Sequence, residues 1–120
     1  MNKRFREHYE CGKGWDKIIQ RVLDYIDNLN NDIDNKDPIL VHQIKEKFGG
    51  LRIYCNYYHE DLSKVIQEAE NESYKTCEIC GTKENVGHTT SGWITTCCEK
   101  CAEKISSGFP YRKTTWVKKC

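Results

Sequence analysis

The sequence lacks a long apolar run, an excess of charge of one sign and a complete catalytic motif. No stretch reaches the roughly 18 apolar residues that a membrane span needs, and the opening MNKRFREHYE has no apolar core of signal-peptide length. We therefore expect a cytoplasmic protein with no membrane partner. With 19 basic and 18 acidic residues, the formal net charge is +1. That balance argues against a protein that coats nucleic acid by bulk charge.

The motifs of the common nucleotide-dependent and nucleophilic enzymes are also absent. Gly12-Lys13-Gly14 lacks the spacing of a phosphate-binding loop and does not follow a predicted strand. No serine lies in a pattern that resembles a nucleophile elbow. These absences predict a protein that is not an enzyme.

What the sequence has in abundance is cysteine. Eight cysteines occur in 120 residues, and four of them form two Cys-x-x-Cys pairs. Without an export signal, paired spacing of this kind indicates a zinc site in preference to a disulfide framework. Because only 38% of the residues are hydrophobic, a metal would supply stability that a small core does not.

The pairs are Cys77 with Cys80 and Cys98 with Cys101. Four thiolates close a tetrahedral site, so we predict one structural zinc ion with no coordination position left for catalysis. Gly81 allows a tight turn beneath the first pair. Residues 92–96 predict a strand, and the sequence after it predicts a helix that ends near Gly108. Cys97 adjoins Cys98 and is a competing ligand, although only Cys98 forms the pair with Cys101.

The remaining pattern predicts a second unit. An apolar stripe from Trp15 to Leu29 has helical spacing, and two β-prone runs flank Gly49-Gly50, which indicates a hairpin. A second helix begins near Asp61, which is a plausible N-cap. The simplest hairpin register buries Leu40, Ile44, Leu51, Ile53 and Cys55.

These elements predict an α+β fold. Residues 1–75 form a helix–β-hairpin–helix lobe, and residues 76–120 form a treble-clef-like zinc-binding lobe with a basic C-terminal tail. Within the tail, Trp116 and Val117 pack back on the zinc lobe as a short strand, which we favour; alternatively, the basic tail contacts nucleic acid or an acidic protein partner.

The outward face of the hairpin is a candidate ligand-binding surface. It combines cations, an amide and an aromatic ring, which suit phosphates and a stacked base. The candidate residues are Gln43, Lys45, Lys47, Arg52 and Tyr54. The alternative is a solvated sheet face whose cations protect an edge strand.

The order of these motifs resembles that of a family of small uncharacterised bacterial and phage-borne proteins. The resemblance rests on QIKEKFGGLRIY, the CEICG knuckle, a Gly-Trp and the closing cysteine pair, and it covers residues 12–105. It implies a phage or prophage accessory protein in the host cytoplasm. Such proteins often inhibit host defence, so the resemblance implies a counter-defence inhibitor that binds a host protein or sequesters a nucleotide signal.

The zinc lobe alone also resembles treble-clef nucleases of the HNH type. In those enzymes an Asp-His pair on a hairpin, between the two cysteine pairs, activates water beside a catalytic metal. His88 lies at the corresponding place, but Gly87 precedes it where the nucleases have Asp. The alternative functions are therefore a zinc-dependent nucleic-acid-binding module or, with less support, a degenerate nuclease.

Overall fold

The computed structural model describes residues 9–31, 37–89, 94–108 and 116–118. The fold is α+β, as predicted, and contains three helices and two small sheets within the described residues. In chain order the elements are β1 (Tyr9–Glu10), a 3-10 turn (Lys13–Trp15), α1 (Asp16–Asn30), β2 (Val41–Lys47), β3 (Gly50–Cys55), α2 (Glu60–Ser73), β4 (Val86–Thr89), β5 (Thr96–Cys98), α3 (Glu99–Gly108) and β6 (Trp116–Lys118).

Helix α1 forms where the apolar stripe predicts it. Its buried residues are Ile18, Ile19, Val22, Leu23 and Ile26. They recur every three or four positions and so lie on one face. The Asn30 side chain then donates to the Ile39 carbonyl oxygen and accepts from the Ile39 N–H, each at 2.8 Å. This pair of hydrogen bonds joins the helix end to the start of the hairpin.

The hairpin turn differs by one residue from the predicted Gly49-Gly50 turn. Its two central residues are Phe48 and Gly49, with φ values of 54° and 83°, and Gly50 already pairs with Lys47. Two successive positive φ values match the right-handed twist of the flanking strands. Gly49 adopts this conformation at no steric cost, whereas Phe48 adopts one that is uncommon for a residue with a side chain.

Burial of Leu40 was predicted, and this prediction is wrong. The strand register shifts between Val41 and Gln43, so that His42 is an extra residue in β2. Such a bulge reverses the inside–outside alternation before it. Leu40 is therefore 54% exposed, and Ile39 takes the core position at 2%.

The other four predicted core residues of the hairpin are buried, namely Ile44, Leu51, Ile53 and Cys55. They share the first core with α1 and with Leu62 and Ala69 of α2. Helix α2 begins at Glu60, two residues before the start that an Asp61 cap predicts. Its N-cap is His59, whose Nδ1 accepts from the Leu62 N–H at 3.2 Å, so the predicted Asp61 cap is wrong.

The second sheet has the order β5-β4-β6, with both pairings antiparallel. The predicted strand over residues 92–96 forms later than expected, as β5, and residues 90–93 lie outside the described part of the chain. The favoured interpretation of the tail is confirmed for β6. It pairs with β4, and the Trp116 indole N–H donates to the Cys97 carbonyl oxygen at 2.9 Å.

Candidate metal centre

The first cysteine pair lies in a tight turn after α2. The Cys77 N–H donates to the Thr82 carbonyl oxygen at 2.8 Å, and the Gly81 N–H donates to the Cys77 carbonyl oxygen at 2.9 Å. Gly81 has a φ of 82°, which closes the turn without a side-chain clash. The Cys80 N–H also points at the Cys77 Sγ, 3.4 Å away. The turn therefore presents both sulfur atoms on the same side.

The second pair spans the junction of β5 and α3. Cys98 is the last residue of β5 and pairs with Val86, while Cys101 lies in the first turn of α3. The Glu99 N–H donates to the Asn85 carbonyl oxygen at 3.2 Å, which anchors the junction to the residue before β4. A strand end and a helix start therefore supply one ligand each.

All four predicted ligands meet at one point. The Sγ atoms of Cys77, Cys80, Cys98 and Cys101 all lie within 4.8 Å of one another. The Sγ atoms of Cys80 and Cys98 are 3.7 Å apart, far beyond the ~2.05 Å of a disulfide. For metal–sulfur bonds of about 2.3 Å, tetrahedral geometry separates the sulfur atoms by about 3.8 Å. The cluster is thus compatible with a single tetrahedral metal ion.

The backbone of the turn favours the thiolate form of one ligand. Burial acts to raise the pKa of the Cys77 thiol, but backbone N–H groups, led by that of Cys80, outweigh it and lower the pKa to about 7. Burial raises the pKa of Cys101. A metal ion would overcome that rise, because binding drives the proton from each thiol.

Cys97 lies outside the cluster. It pairs with Gly87, whereas Cys98 pairs with Val86, and successive strand residues point to opposite faces. Its side chain is fully buried, and burial raises its pKa to about 12. Cys97 is therefore a small apolar member of the second core, between the metal cluster and Trp116.

Sequence reasoning missed the segment that supports the turn from outside. The Gly14 N–H donates to the Glu78 carbonyl oxygen at 2.7 Å. A Cβ at Gly14 would overlap the Cys77 carbonyl oxygen, and one at Gly12 would overlap the Glu78 carbonyl oxygen. Both glycines thus permit close backbone contact with the turn that carries Cys77 and Cys80, which we call the metal turn. Their spacing was a visible signal, but nothing in the sequence identified the partner.

The Glu78 side chain strengthens the same contact. Its Oε2 accepts from the Gly12 N–H at 2.8 Å. Burial raises the pKa of this carboxyl group, the Gly12 N–H opposes the rise, and the nearby Glu46 carboxylate adds to it. Two hydrogen bonds thus join the N-terminal segment to Glu78, which lies between Cys77 and Cys80: one to its carbonyl oxygen and one to its carboxylate.

The hairpin turn contacts the metal lobe from the other side. The Thr96 hydroxyl donates to the Gly49 carbonyl oxygen at 2.5 Å, and a Cβ at Gly49 would lie 3.2 Å from Cγ2 of Ile94. The Glu78 N–H donates to the Thr96 carbonyl oxygen at 3.0 Å. The metal lobe therefore contacts the N-terminal lobe at the segment around Gly14 and again at the hairpin turn.

The predicted ligand-binding residues of the hairpin have neighbours of their own. The Lys45 ammonium lies 5.8 Å from the centre of the Tyr54 ring, within cation–π range. Arg52 forms an ion pair with Glu70 of α2. Tyr54 is exposed and Lys45 is half-buried. Of the charges on this face, that of Arg52 is balanced within the fold.

The remaining two candidates lie at opposite ends of β2. The Gln43 amide donates weakly to Glu10 of the adjacent strand at 3.4 Å. The Lys47 ammonium lies 5.7 Å from the centre of the Phe48 ring at the turn. These contacts leave room for a partner, and the role of the five residues in binding stays a prediction.

His88 lies in β4, opposite Thr96 and Val117. Its Nδ1 is 3.1 Å from the Thr89 carbonyl oxygen. Among the described residues, the four cysteines are the only group of three or more His, Cys, Asp or Glu side chains placed to share a metal. His88 therefore has no companion ligands for a catalytic metal within that part of the chain.

The chain was compared with protein-family models, curated proteins and solved structures, and none matches it. In the part of the chain that the structure describes, no helix is both long and apolar enough to cross a membrane.

Proposed function

We propose that this chain is a non-enzymatic, zinc-stabilised binding protein that captures a protein partner through the outer face of its hairpin. The observation that carries the proposal is a group of exposed apolar side chains at the open end of the hairpin. We call Leu40, Tyr54 and Tyr57 the hairpin surface; all three are exposed. Large exposed apolar groups that lie together are typical of protein interaction sites.

Asn56 joins the backbones of two of the three residues. The Leu40 N–H and the Tyr57 N–H both donate to its Oδ1, at 2.8 and 3.0 Å. Tyr54 lies on the same face of β3 as Asn56, because the intervening Cys55 faces the core. The backbone that carries Leu40 and Tyr57 is thus held in place before any partner arrives, which lowers the entropy cost of binding.

The composition of this surface favours a protein over a nucleotide. Tyrosine is enriched at protein interfaces, where it supplies contact area at low entropy cost. A phosphate ligand would need unbalanced cations, but Arg52 is already paired with Glu70. Lys45, next to the Tyr54 ring, and Lys47, near the turn, remain as rim charges that would steer an acidic partner.

Zinc is the metal that the donor set supports best. Four thiolates in a tetrahedral arrangement select zinc or iron, and two Cys-x-x-Cys pairs with this spacing are typical of structural zinc. The arrangement we propose is a treble clef. It consists of the turn that carries the first cysteine pair, the β4–β5 hairpin, and helix α3, which provides the last ligand. In this proposal zinc stabilises the lobe and takes no part in a reaction, because four ligands close its coordination shell.

The resemblance to phage-borne proteins supplies the biological setting. A small binding protein of that origin would act in the host cytoplasm as a counter-defence inhibitor, by occupying the surface of a host protein. The alternative, a nucleic-acid-binding module, predicts a different salt response. Nucleic-acid binding weakens steeply with salt, whereas capture by the hairpin surface would change little between low and moderate salt.

The test is affinity capture from a bacterial lysate, followed by mass spectrometry, with the Leu40→Ser/Tyr54→Ser variant beside the unmodified protein. We expect one enriched protein that the variant loses and that survives moderate salt. A matched control is Phe48→Asn/Ile79→Ser, which removes two exposed apolar side chains elsewhere; asparagine tolerates the positive φ at position 48. Capture that only the control abolishes, or capture of nucleic acid alone, would refute the proposal.

A further inference from the structure

A cleft lies between α1, the C-terminal end of α2 and the first cysteine turn. Its volume is about 700 Å³, which is within the range of small-molecule sites. Residues from all three elements line it. Neither the metal site nor the hairpin surface requires such a cleft. The residues that line it therefore need a separate explanation.

Four basic side chains line the cleft, against the two carboxylates of Asp16 and Glu72, so the charged groups of the lining are basic on balance. Lys13, Lys17 and Arg21 reach it from the 3-10 turn and α1, and Lys83 reaches it from beyond the metal turn. Lys13 and Lys17 are exposed, so their ammonium groups are free to move toward a ligand. Four cations from two separate segments of the chain converge on one concave surface, in a protein whose formal net charge is only +1.

Glu72 organises two of these cations. Its carboxylate forms ion pairs with Arg21 and with Lys83, the latter at 2.7 Å. Burial acts to raise the pKa of Glu72, but the hydrogen bonds from Arg21 and Lys83 outweigh it and lower the pKa. One carboxylate cannot neutralise two cations, so this arrangement fixes Arg21 and Lys83 in place and leaves positive charge over.

A second observation points to a ligand with a hydrogen-bond donor. Gln20 also lines the cleft. Its Nε2 donates to Asp24 at 2.6 Å, which orients the amide, and its Oε1 is buried with no hydrogen-bond partner among the described residues. A buried acceptor without a partner is unfavourable. Because Oε1 is closed off from solvent, the amide must first rotate toward the cleft, where a ligand donor would then remove this cost.

From these features we propose that the cleft binds a phosphate-bearing small molecule, with its phosphate groups between Lys13, Lys17 and the Arg21–Glu72–Lys83 cluster. Charge-assisted hydrogen bonds from several cations are the usual basis of phosphate recognition. A nucleoside phosphate combines such a group with the donor that Gln20 lacks. This site is separate from the hairpin surface, so it stands or falls independently of the proposed capture of a protein.

A competing explanation must be tested in the same experiment. Cys80 lines one wall of the cleft, and four thiolates around a divalent metal carry a net negative charge. The lysines would then serve to balance the metal centre. That explanation predicts that their removal weakens metal retention, whereas a phosphate site predicts that it weakens only phosphate binding.

The experiment is calorimetric titration of the metal-loaded full chain with inorganic pyrophosphate and, separately, with ADP at low ionic strength. The test variant is Lys13→Gln/Lys17→Gln. The matched control is Lys47→Gln/Lys64→Gln, which removes the same charge from exposed positions outside the cleft. We expect the test variant to lose at least about tenfold in affinity for pyrophosphate and the control to lose less than about twofold.

The outcomes distinguish a phosphate site from a charge-balancing role for the lysines. Tighter binding of ADP than of pyrophosphate would assign the nucleoside part to the neighbourhood of Gln20, and equal binding would assign the phosphates alone. No binding of either probe would overturn the proposal, as would equal losses in both variants. Reduced metal content in the test variant, with unchanged pyrophosphate binding, would assign the lysines to the metal centre instead.

Discussion

The two cores of this molecule differ in the kinds of side chain that they bury. The first contains large apolar side chains on α1, β2, β3 and α2, including Trp15, Ile19, Leu23, Leu51 and Leu62. The buried residues of the second are Cys77, Val86, Cys97, Cys98, Cys101 and Ala102. Three of those six belong to the cysteine cluster that could hold a metal ion. A core with so little apolar surface cannot support a fold of its own, so we propose that the second lobe depends on coordination where the first depends on burial.

The largest expected effect separates the two lobes. We predict that Cys98→Ser abolishes binding of the single metal ion and unfolds the lobe around β4, β5 and α3, because metal binding supplies on the order of 10 kcal/mol in sites of this kind. Hydrogen exchange should show protection lost there and kept in α1. Cys11→Ser, outside the cluster, is the control. Full protection in a metal-free Cys98→Ser protein would contradict the comparison.

The reverse experiment weakens the apolar core. Leu51 is fully buried, and Leu51→Ala should lower the free energy of unfolding by about 2–5 kcal/mol, measured by denaturant titration, without change in metal content. Leu40→Ala should change it by less than about 0.5 kcal/mol, because the bulge at His42 turns Leu40 outward. Equal losses in the two variants would mean that the bulge is absent.

The contact between the lobes gives a smaller effect. Gly14→Ala should destabilise the protein by about 1–3 kcal/mol, the usual range for an overpacked site, because its Cβ would overlap the Cys77 carbonyl oxygen. It should also speed the loss of metal to a chelator, measured with a colorimetric zinc indicator. Lys13→Ala, at an exposed position between the two glycines, should do neither. Unchanged metal release in Gly14→Ala would remove the supporting role of this segment.

The smallest effect concerns pH. The pKa of Glu72 is lowered in the folded protein, since its hydrogen bonds to Arg21 and Lys83 outweigh burial. Its contribution to stability is therefore present above the unfolded pKa of about 4.3 and is lost as the pH falls through the lower folded value. Glu72→Gln should flatten the dependence of unfolding free energy on pH in that acidic range. An identical slope in both proteins would count against the ion pairs.

Local patterns carried the sequence-based predictions that the structure confirms. The spacing of Ile18, Ile19 and Val22 identifies α1 because a helical stripe is a property of neighbouring residues. Paired cysteines identify the members of the cluster in the same way, since the two cysteines of each pair are close in the sequence. The α+β class followed from these elements.

The failures came from features that only three-dimensional contacts decide. Nothing in the run around His42 indicates a bulge, so the alternation placed Leu40 in the core and left Ile39 out of it. Gly12 and Gly14 were recognised only as a poor phosphate-loop pattern, because their partner lies more than sixty residues away in the turn at Glu78. The cleft beside them joins distant segments and so has no motif.

The central claim is that Cys77, Cys80, Cys98 and Cys101 hold one structural zinc ion. X-ray absorption at the zinc K-edge, on protein purified without chelators, tests it most directly because it reports both the element and its ligands. We predict one zinc per chain with four sulfur neighbours at about 2.3 Å and no oxygen or nitrogen neighbour in the first shell. A zinc-free protein, or a shell that contains water, would contradict the account.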